Sequence, residues 1–516
     1  MGSSAEGYIP NGHASPVANT TAREQPELAQ RNNSIPTTAP SSRFELIRQR
    51  TTMMLTPPKK VGTPPSFFAS LKSIITASWL NLLLVCIPIS WVLHFALPQS
   101  FANRDTLIFV FSFLAIIPLA KLLGFATEEL SLRVGQTLAG LLNATLGNAV
   151  ELIVAIIALV KCELQVVQAS LVGSILSNLL LVLGMCFFAG GLKYSEQGFG
   201  VSASQLNSSL LTISVIAVLL PAAFHINADP TLSDQQEGHD ILAVSHGVAV
   251  ILLFIYAGYL SFQLYSHAAL YDDKNNAFKT TNYASPKFRM HIPKRLKYHS
   301  KDVEGGNLES PAPVVGLESV ESSQTLPTPQ TRLQDIHAPI DEREEEEEET
   351  PMLSLYMTIA LLVAVTVLVA ITAEWLVDSI GGLTDTGNIS KEFVGVILLP
   401  IVGNAAEHVT AVSVSVKDKL NLSLSVAVGS SIQIALFVIP FIVILGWILG
   451  KPLTLLFDPY ESIAMFLTVL TVNYVVQDGK SNWLEGFILM CLYVILAVTF
   501  WFYPGSDPSG VLASCH

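Results

Sequence analysis

Between Ser73 and Tyr503 the chain is a succession of apolar runs. Each approaches the roughly 20 residues that a helix needs to cross the hydrocarbon core of a bilayer, about 30 Å thick. In lipid every backbone N–H and C=O must find its partner inside the protein, so runs of this length fold as helices. Their spacing predicts eleven spans, at 73–97, 106–126, 134–160, 165–190, 204–224, 243–265, 353–376, 393–416, 422–449, 460–476 and 483–503. Composition agrees: 51% of residues are hydrophobic, 13% are charged, and the mean hydropathy is +0.51. Soluble proteins carry roughly 25% charged residues. The expected fold class is an all-α membrane protein with eleven transmembrane helices.

The segments outside these runs set the domain organisation. Residues 1–70 are polar and rich in Ser, Thr, Pro, Asn and Arg, which predicts a disordered cytosolic tail, because too little apolar surface is present to offset ordering entropy. No charged n-region leads into a short apolar core, so no cleaved signal peptide is expected. The first span, within 71–98, is followed by spans grouped at 106–265 and 353–503, with a linker at 266–352 and a short tail at 504–516. The net charge of −13 is mostly local, since Glu344, Glu345, Glu346, Glu347, Glu348 and Glu349 form an unbroken acidic run in that linker. This pattern gives no reason to expect a nucleic-acid partner. The run is a solvated stretch or a cation-responsive regulatory element. Cys86, Cys162, Cys186, Cys491 and Cys515 are scattered without a CxxC pair, so neither a disulfide framework nor a zinc site is expected. Lys and Arg flank the first span (Arg43, Arg48, Arg50, Lys59, Lys60, Lys72) and fill the linker (Lys287, Arg289, Lys294, Arg295, Lys297), whereas 225–240 has neither. The positive-inside rule then puts tail and linker in the cytosol and the C-terminus on the other side.

One phrase occurs twice. GNAVEL at 147–152 and GNAAEH at 403–408 align at an offset of 256 residues, which also pairs Lys161 with Lys417, Val172-Gly173-Ser174 with Val428-Gly429-Ser430, and Ser177 with Gln433. A weaker match sets Glu128 against Glu374. Spans two to six and seven to eleven form groups of five. Five is odd, so the second copy enters the membrane in the opposite sense: two inverted five-helix repeats, with the first span an addition. Such folds hold their substrate near the bilayer midplane, on interrupted helices at the repeat interface.

The repeated residues form a hard-oxygen set. Asn148 and Glu151, three apart, share a helix face. Gly147 and Gly403 permit close backbone approach or a break that frees carbonyls. Ser174, Ser177, Ser430 and Gln433 add neutral oxygens. With Glu151, Glu407 and Asn404 they suit Ca²⁺ better than a soft metal. Two protons neutralise the same carboxylates, so Ca²⁺ and H⁺ should compete, as an antiporter requires.

At these motifs the chain resembles the cation/proton exchanger family of the calcium/cation antiporter superfamily, and is most like its fungal vacuolar Ca²⁺/H⁺ exchangers. GNAVEL with GSILSN, and GNAAEH with GSSIQI, look like that family's paired signatures, and the resemblance covers roughly 70–503. It implies Glu151 and Glu407 as ion-binding carboxylates, Gly147, Asn148, Gly403 and Asn404 as motif backbone, and Ser174 and Ser430 as site-lining residues. It also implies proton coupling, because sodium-coupled relatives usually carry Asp in place of the Glu-His pair. His408 is then a proton-transfer candidate, with an interhelical strut as the alternative. Glu128, Glu374 and Ser177 are accessory candidates, and Asn473 and Gln477 are polar bridges between spans ten and eleven.

Gly and Ala pairs alone more often mark close packing than an ion path. A carboxylate at a span centre is different, costing about 2.5–3.5 kcal/mol by insertion scales and being functional by default. An intramembrane metalloprotease is disfavoured because HExxH is absent and Glu407-His408 are adjacent. The expectation is a transporter and not an enzyme, without a resident cofactor. It would exchange cytosolic Ca²⁺ for protons of an acidic store, which the family resemblance implies is the vacuole, with Na⁺, K⁺ or Mn²⁺ exchange as the alternative. Its partners are Ca²⁺, H⁺ and the lipid bilayer, and a homo-oligomer is compatible with such a chain.

Overall fold

Helix starts in this chain are set by short polar caps. Ser233, Ser354 and Ser390 each accept a bond from a backbone N–H three residues on, and Asp458 and Asn482 each accept two. Such caps satisfy N–H groups that a helix start leaves open. The computed structural model describes residues 61–101, 103–227, 233–271, 280–282, 350–385, 389–506 and 515. All belong to one unit, Thr52–His516. The acidic run Glu344–Glu349, the tail before residue 61 and the basic residues of the linker lie outside the described residues.

In chain order, α1 (Phe67–Thr76) leads through a 3₁₀ turn (Trp79–Val85) into α2 (Cys86–Ala96), and α3 (Arg104–Ser131) follows. Next come α4 (Gln136–Leu146), α5 (Ala149–Val160), α6 (Leu164–Leu176), a π turn (Ser177–Val182), α7 (Leu183–Lys193), α8 (Val201–Ile226) and α9 (Asp234–Ser261). Beyond the linker, α10 (Leu355–Thr384) precedes α11 (Lys391–Phe393), a π turn (Val394–Leu398), α12 (Leu399–Gly403) and α13 (Ala405–Ser415). Finally α14 (Leu420–Gln433), a π turn (Ile434–Val438), α15 (Ile439–Leu449), α16 (Pro459–Val475) and α17 (Trp483–Phe502) complete the bundle. The described strands are two-residue pieces: β1 (Gln197–Gly198) pairs antiparallel with β2 (Lys480–Ser481), Gln197 opposite Ser481.

Among the described residues eight helices are long and apolar enough to cross a membrane, or nine if the pair α11–α12 and α13, bent by 56°, is one span. Two of the expected spans fall short of that measure. Span 134–160 is split into α4 and α5, and span 460–476 is the 17-residue α16. The first span also starts differently. Asn81 Nδ2 donates to the carbonyls of Ile74 and Ile75, ending α1, so the membrane-length segment is Trp79–Ala96.

Packing is reciprocal between the two groups of helices. The pairs are α3 on α10, α8 on α16, α5 on α10 with α13 on α3, and α7 on α17 with α15 on α9. The helices α5 and α13 also end alike. Cys162 and Asp418, 256 residues apart, both take positive φ (61° and 63°), and the next amide bonds back to Ala158 and Val414. A positive φ just past a helix is a common C-terminal stop. The face carrying Tyr271 and Thr350 is called the linker face below. There the Glu129 carboxylate accepts from the amides of Met352 and Leu353, fixing the entry to α10 against α3.

Two observations correct the sequence reading. Cys162 and Cys515 form a disulfide, although spacing gave no sign of one; 353 residues separate them, and only the fold brings them together. Asn473 donates to Thr212, joining α16 to α8 and not to α17. Thus span ten is tied to span five.

The counterpart glycines of α6 and α14 are packed unequally. A Cβ on Gly173 in α6 would lie 2.2 Å from the Val396 carbonyl oxygen, whereas one on its counterpart Gly429 in α14 would meet nothing within 4 Å. Overpacking of this kind costs about 1–3 kcal/mol. Gly173→Ala should therefore lower the unfolding temperature of the detergent-purified protein by several degrees, and Gly429→Ala should leave it within a degree; thermal unfolding followed by tryptophan fluorescence reads both. Alkylation and peptide mass mapping before and after reduction should find Cys162 and Cys515 protected together, with Cys491 free.

Candidate functional site

The two motif phrases sit where two helices break. α4 ends at Leu146, Asn148 leaves helical geometry (φ −103°, ψ 33°), and α5 restarts at Ala149. In the second half α12 ends at Gly403, Asn404 bridges (φ −86°, ψ −1°), and α13 restarts at Ala405. Glu151 and Glu407 therefore lie in the first turns of α5 and α13. A helix N-terminus carries partial positive charge, which favours a carboxylate in its first turn. The breaks thus bring two acidic side chains into the apolar interior, each with partial electrostatic support from its own half-helix.

Each break is stitched to the other half of the chain. The Ser430 hydroxyl donates to Asn148 Oδ1 at 2.7 Å, and Asn404 Nδ2 donates to the Ser174 hydroxyl at 3.0 Å. These are the same residue pair at an offset of 256 residues, with the halves exchanged and the donor reversed; the Ser174 hydroxyl also lies 3.3 Å from Asn404 Oδ1. Asn178 Nδ2 adds a 3.2 Å bond to Ser430. Asn148, Asn404 and Ser174 are buried, Ser174 and Asn404 fully. Around them Glu407 Oε2, Asn148 Nδ2 and Gln433 Nε2 are buried without a protein partner. Orphaned polar atoms are uncommon in protein interiors and call for an explanation.

Two cavities meet at this point. The larger, about 550 Å³, is lined by Glu407, Gly147, Asn148, Ser430, Gln433, Lys121 and Glu128 among others, with α4 on one side and α14 on the other. Glu128 is exposed, so this cavity approaches the linker face. The smaller, about 30 Å³, is lined by Glu151, Ser170, Ser174 and Pro400. Val150 and Gly403 line both. Gly403 is the thin wall between them, since a Cβ there would lie 2.7 Å from Glu151 Oε1. The tight Gly173–Val396 contact closes the side on which Glu151 lies; the open space at Gly429 belongs to the side of Glu407.

The expected site residues thus converge in part. Glu151, Glu407, Gly147, Asn148, Gly403, Asn404, Ser174, Ser430 and Gln433 surround the junction of the two cavities. Among the described residues no three His, Cys, Asp or Glu side chains gather, so a cation here would take two carboxylates and neutral oxygens. Ser177 is buried at the start of a π turn and lines neither cavity. His408 also lines neither, and its Nε2 is buried without a partner. Glu374 is remote from the junction and pairs with Lys161 at 3.3 Å, beside Asp378, so it is not brought together with Glu128. Sequence reasoning missed Lys121, Thr410 and Asn178. Lys121 left a signal, being the lone charge in the interior of the 106–126 run before Gly124.

Comparisons with known proteins place the chain in a family. Residues 104–265 and 357–502 match the family described as sodium/calcium exchanger protein. A vacuolar calcium ion transporter of Cryptococcus neoformans var. grubii is 54% identical over 491 residues, covering 90% of this chain and 80% of the relative. A Ca²⁺/H⁺ antiporter of Synechocystis is 40% identical, covering 82% of this chain and 96% of the relative. The solved structure of native YfkE is 29% identical, with a TM-score of 0.58 over 83% of this chain and 100% of that one. An H⁺/Ca²⁺ exchanger structure, CAX, shares the fold at 14% identity, with a TM-score of 0.53 over 87% of this chain and 92% of the other. Because both helix groups match and the identity extends along most of its length, this integral membrane chain belongs to the sodium/calcium exchanger protein family, among its cation/proton exchangers.

Proposed function

We propose that the chain is a Ca²⁺/H⁺ antiporter that carries Ca²⁺ from the cytosol into an acidic store, the vacuole by the names of its fungal relatives. The observation that carries this reading is the exchanged pair of bonds, Asn148 with Ser430 and Asn404 with Ser174, each beside a carboxylate at a helix break. The site is the junction of the two halves, and each half gives it one glutamate.

The layout is an inverted repeat of two five-helix units, preceded by one extra helix, eleven spans in all. Support comes from the reciprocal packing, the matched positive-φ stops at Cys162 and Asp418, and the split of both motif helices. In this layout α4 with α5 is the third span and α16 the tenth. Gly173 and Gly429 are then equivalent contacts, one closed and one open. Exchanging those states would close the Glu407 side and open the Glu151 side, moving access from one face of the membrane to the other around a fixed site. With the linker in the cytosol, the state described here is open toward the cytosol.

The chemistry follows from charge. Two ionised carboxylates match Ca²⁺, and two protons match the same pair, so the site is neutral with either load and costly to leave empty in a low-dielectric surrounding. That requirement couples the two fluxes. The acidic run Glu344–Glu349, close in sequence to the Glu129 clasp at Met352, is read as a cytosolic element that responds to Ca²⁺.

Glu151→Gln and Glu407→Gln should each abolish proton-driven uptake of radioactive Ca²⁺ into reconstituted vesicles while leaving insertion intact. A unit charge pair about 4 Å apart is worth about 4 kcal/mol at an effective dielectric of about 20, or roughly three orders of magnitude in affinity. In the wild type the half-saturating Ca²⁺ concentration should fall as pH rises, because protons then compete less. Near-normal uptake by either inserted variant, or uptake driven by Na⁺ in place of protons, would contradict the reading.

A further inference from the structure

Lys121 is a positive charge within the membrane part of α3, on the wall of the Glu407 cavity. Its ammonium donates to the Thr410 hydroxyl at 3.2 Å and makes no ion pair among the described residues. Thr410 is itself held, its hydroxyl donating to the Ala406 carbonyl at 3.1 Å, so the hydroxyl oxygen is a fixed acceptor. A neutral hydroxyl is a weak partner for an ammonium in such a place, where charges usually pair. Glu407 is three residues earlier on the same helix, an axial separation of about 4.5 Å. A lysine stem has four rotatable bonds and spans that distance by changing rotamers.

The surrounding charged and titratable groups are few. Glu128 lies on α3 itself, Glu407 and His408 on α13, and Tyr256 and Tyr259 on α9 across the cavity. α4 and α12 carry no titratable side chain. α10 holds Glu374 and Asp378 against Lys161, remote from this cavity. Glu407 is thus the carboxylate at the motif break nearest in register to Lys121. A lysine that merely snorkelled to water would turn toward Glu128, two turns on along α3, whereas this one turns across to α13.

We propose that Lys121 is a tethered counter-cation of the exchange cycle. It rests on Thr410 in the state described here, pairs with Glu407 when the divalent cation has left, and is displaced when the next ion enters from the linker face. The proposal rests on the two-carboxylate reading above. It assigns Lys121 a competitive role, setting how tightly that site holds its load, and assigns Thr410 the role of holding the lysine aside.

The two residues should therefore act in opposite directions. In vesicles carrying the full chain, with radioactive Ca²⁺ presented at the linker face at fixed pH, Lys121→Gln should lower the half-saturating concentration about three- to tenfold. Lys121→Arg should stay within about twofold of the wild type, and Thr410→Val, which removes the resting partner, should raise the concentration by about two- to fivefold. The double variant should match Lys121→Gln. Half-saturation does not depend on how much protein inserts, so poor folding cannot mimic the result. If Lys121→Gln and Lys121→Arg shift it alike, or Lys121→Gln does not shift it, the counter-cation role is overturned. If Glu407→Gln in the same vesicles exchanges normally, the two-carboxylate reading itself fails and the role of Lys121 falls with it.

Discussion

A carboxylate inside a bilayer has to be neutralised, and this protein places two of them where its helices stop being continuous. The breaks at Asn148 and Asn404 exist because each asparagine bonds across to a serine of the other half. Without those bonds the freed backbone and the amide groups would be buried and unsatisfied, at about 1–3 kcal/mol each. The broken helices, the cavity junction and the position of both glutamates depend on this exchanged pair. A continuous helix at either motif would carry its glutamate without the half-helix N-terminus that supports it.

The packing around the junction is uneven in a way that suits transport. On the Glu151 side, α6 and the segment before α12 touch backbone to backbone at Gly173 and Val396. On the Glu407 side, α4 and α14 stand apart and leave a cavity of about 550 Å³ between them. The rest of the bundle packs reciprocally, α3 on α10 and α8 on α16, and frames the motif helices. Lys121 spans the two parts, rooted in the frame on α3 and bonded to Thr410 on a motif helix.

Much of this was legible in the sequence, for a physical reason. Long apolar runs admit few structures, so most spans could be read directly, and two carboxylates in such runs pointed to Glu151 and Glu407. Other features depend on side chains meeting across hundreds of residues. Asn81 captures the carbonyls that end α1, a local bond that hydropathy does not register. The Asp458 cap and Pro459 start α16, whose 17 residues match the length of the 460–476 run. The Cys162–Cys515 disulfide and the Lys161–Glu374 pair join segments that only the fold makes neighbours. Glu374 looked like a site residue because it aligns with Glu128, yet it faces a different partner. Lys121 was legible and passed over, since attention to acidic groups hides a lone base.

The central claim is that one pair of glutamates, one from each half, holds either Ca²⁺ or protons. Proton release on Ca²⁺ binding tests it most directly. Purified protein in detergent would be titrated with Ca²⁺ by calorimetry in buffers of different ionisation enthalpy, at a pH low enough for the site to be protonated. The account predicts that each Ca²⁺ bound displaces protons, that the number falls as pH rises, and that neither Glu151→Gln nor Glu407→Gln gives the wild-type release. Tight Ca²⁺ binding whose heat is the same in every buffer at that pH would contradict it.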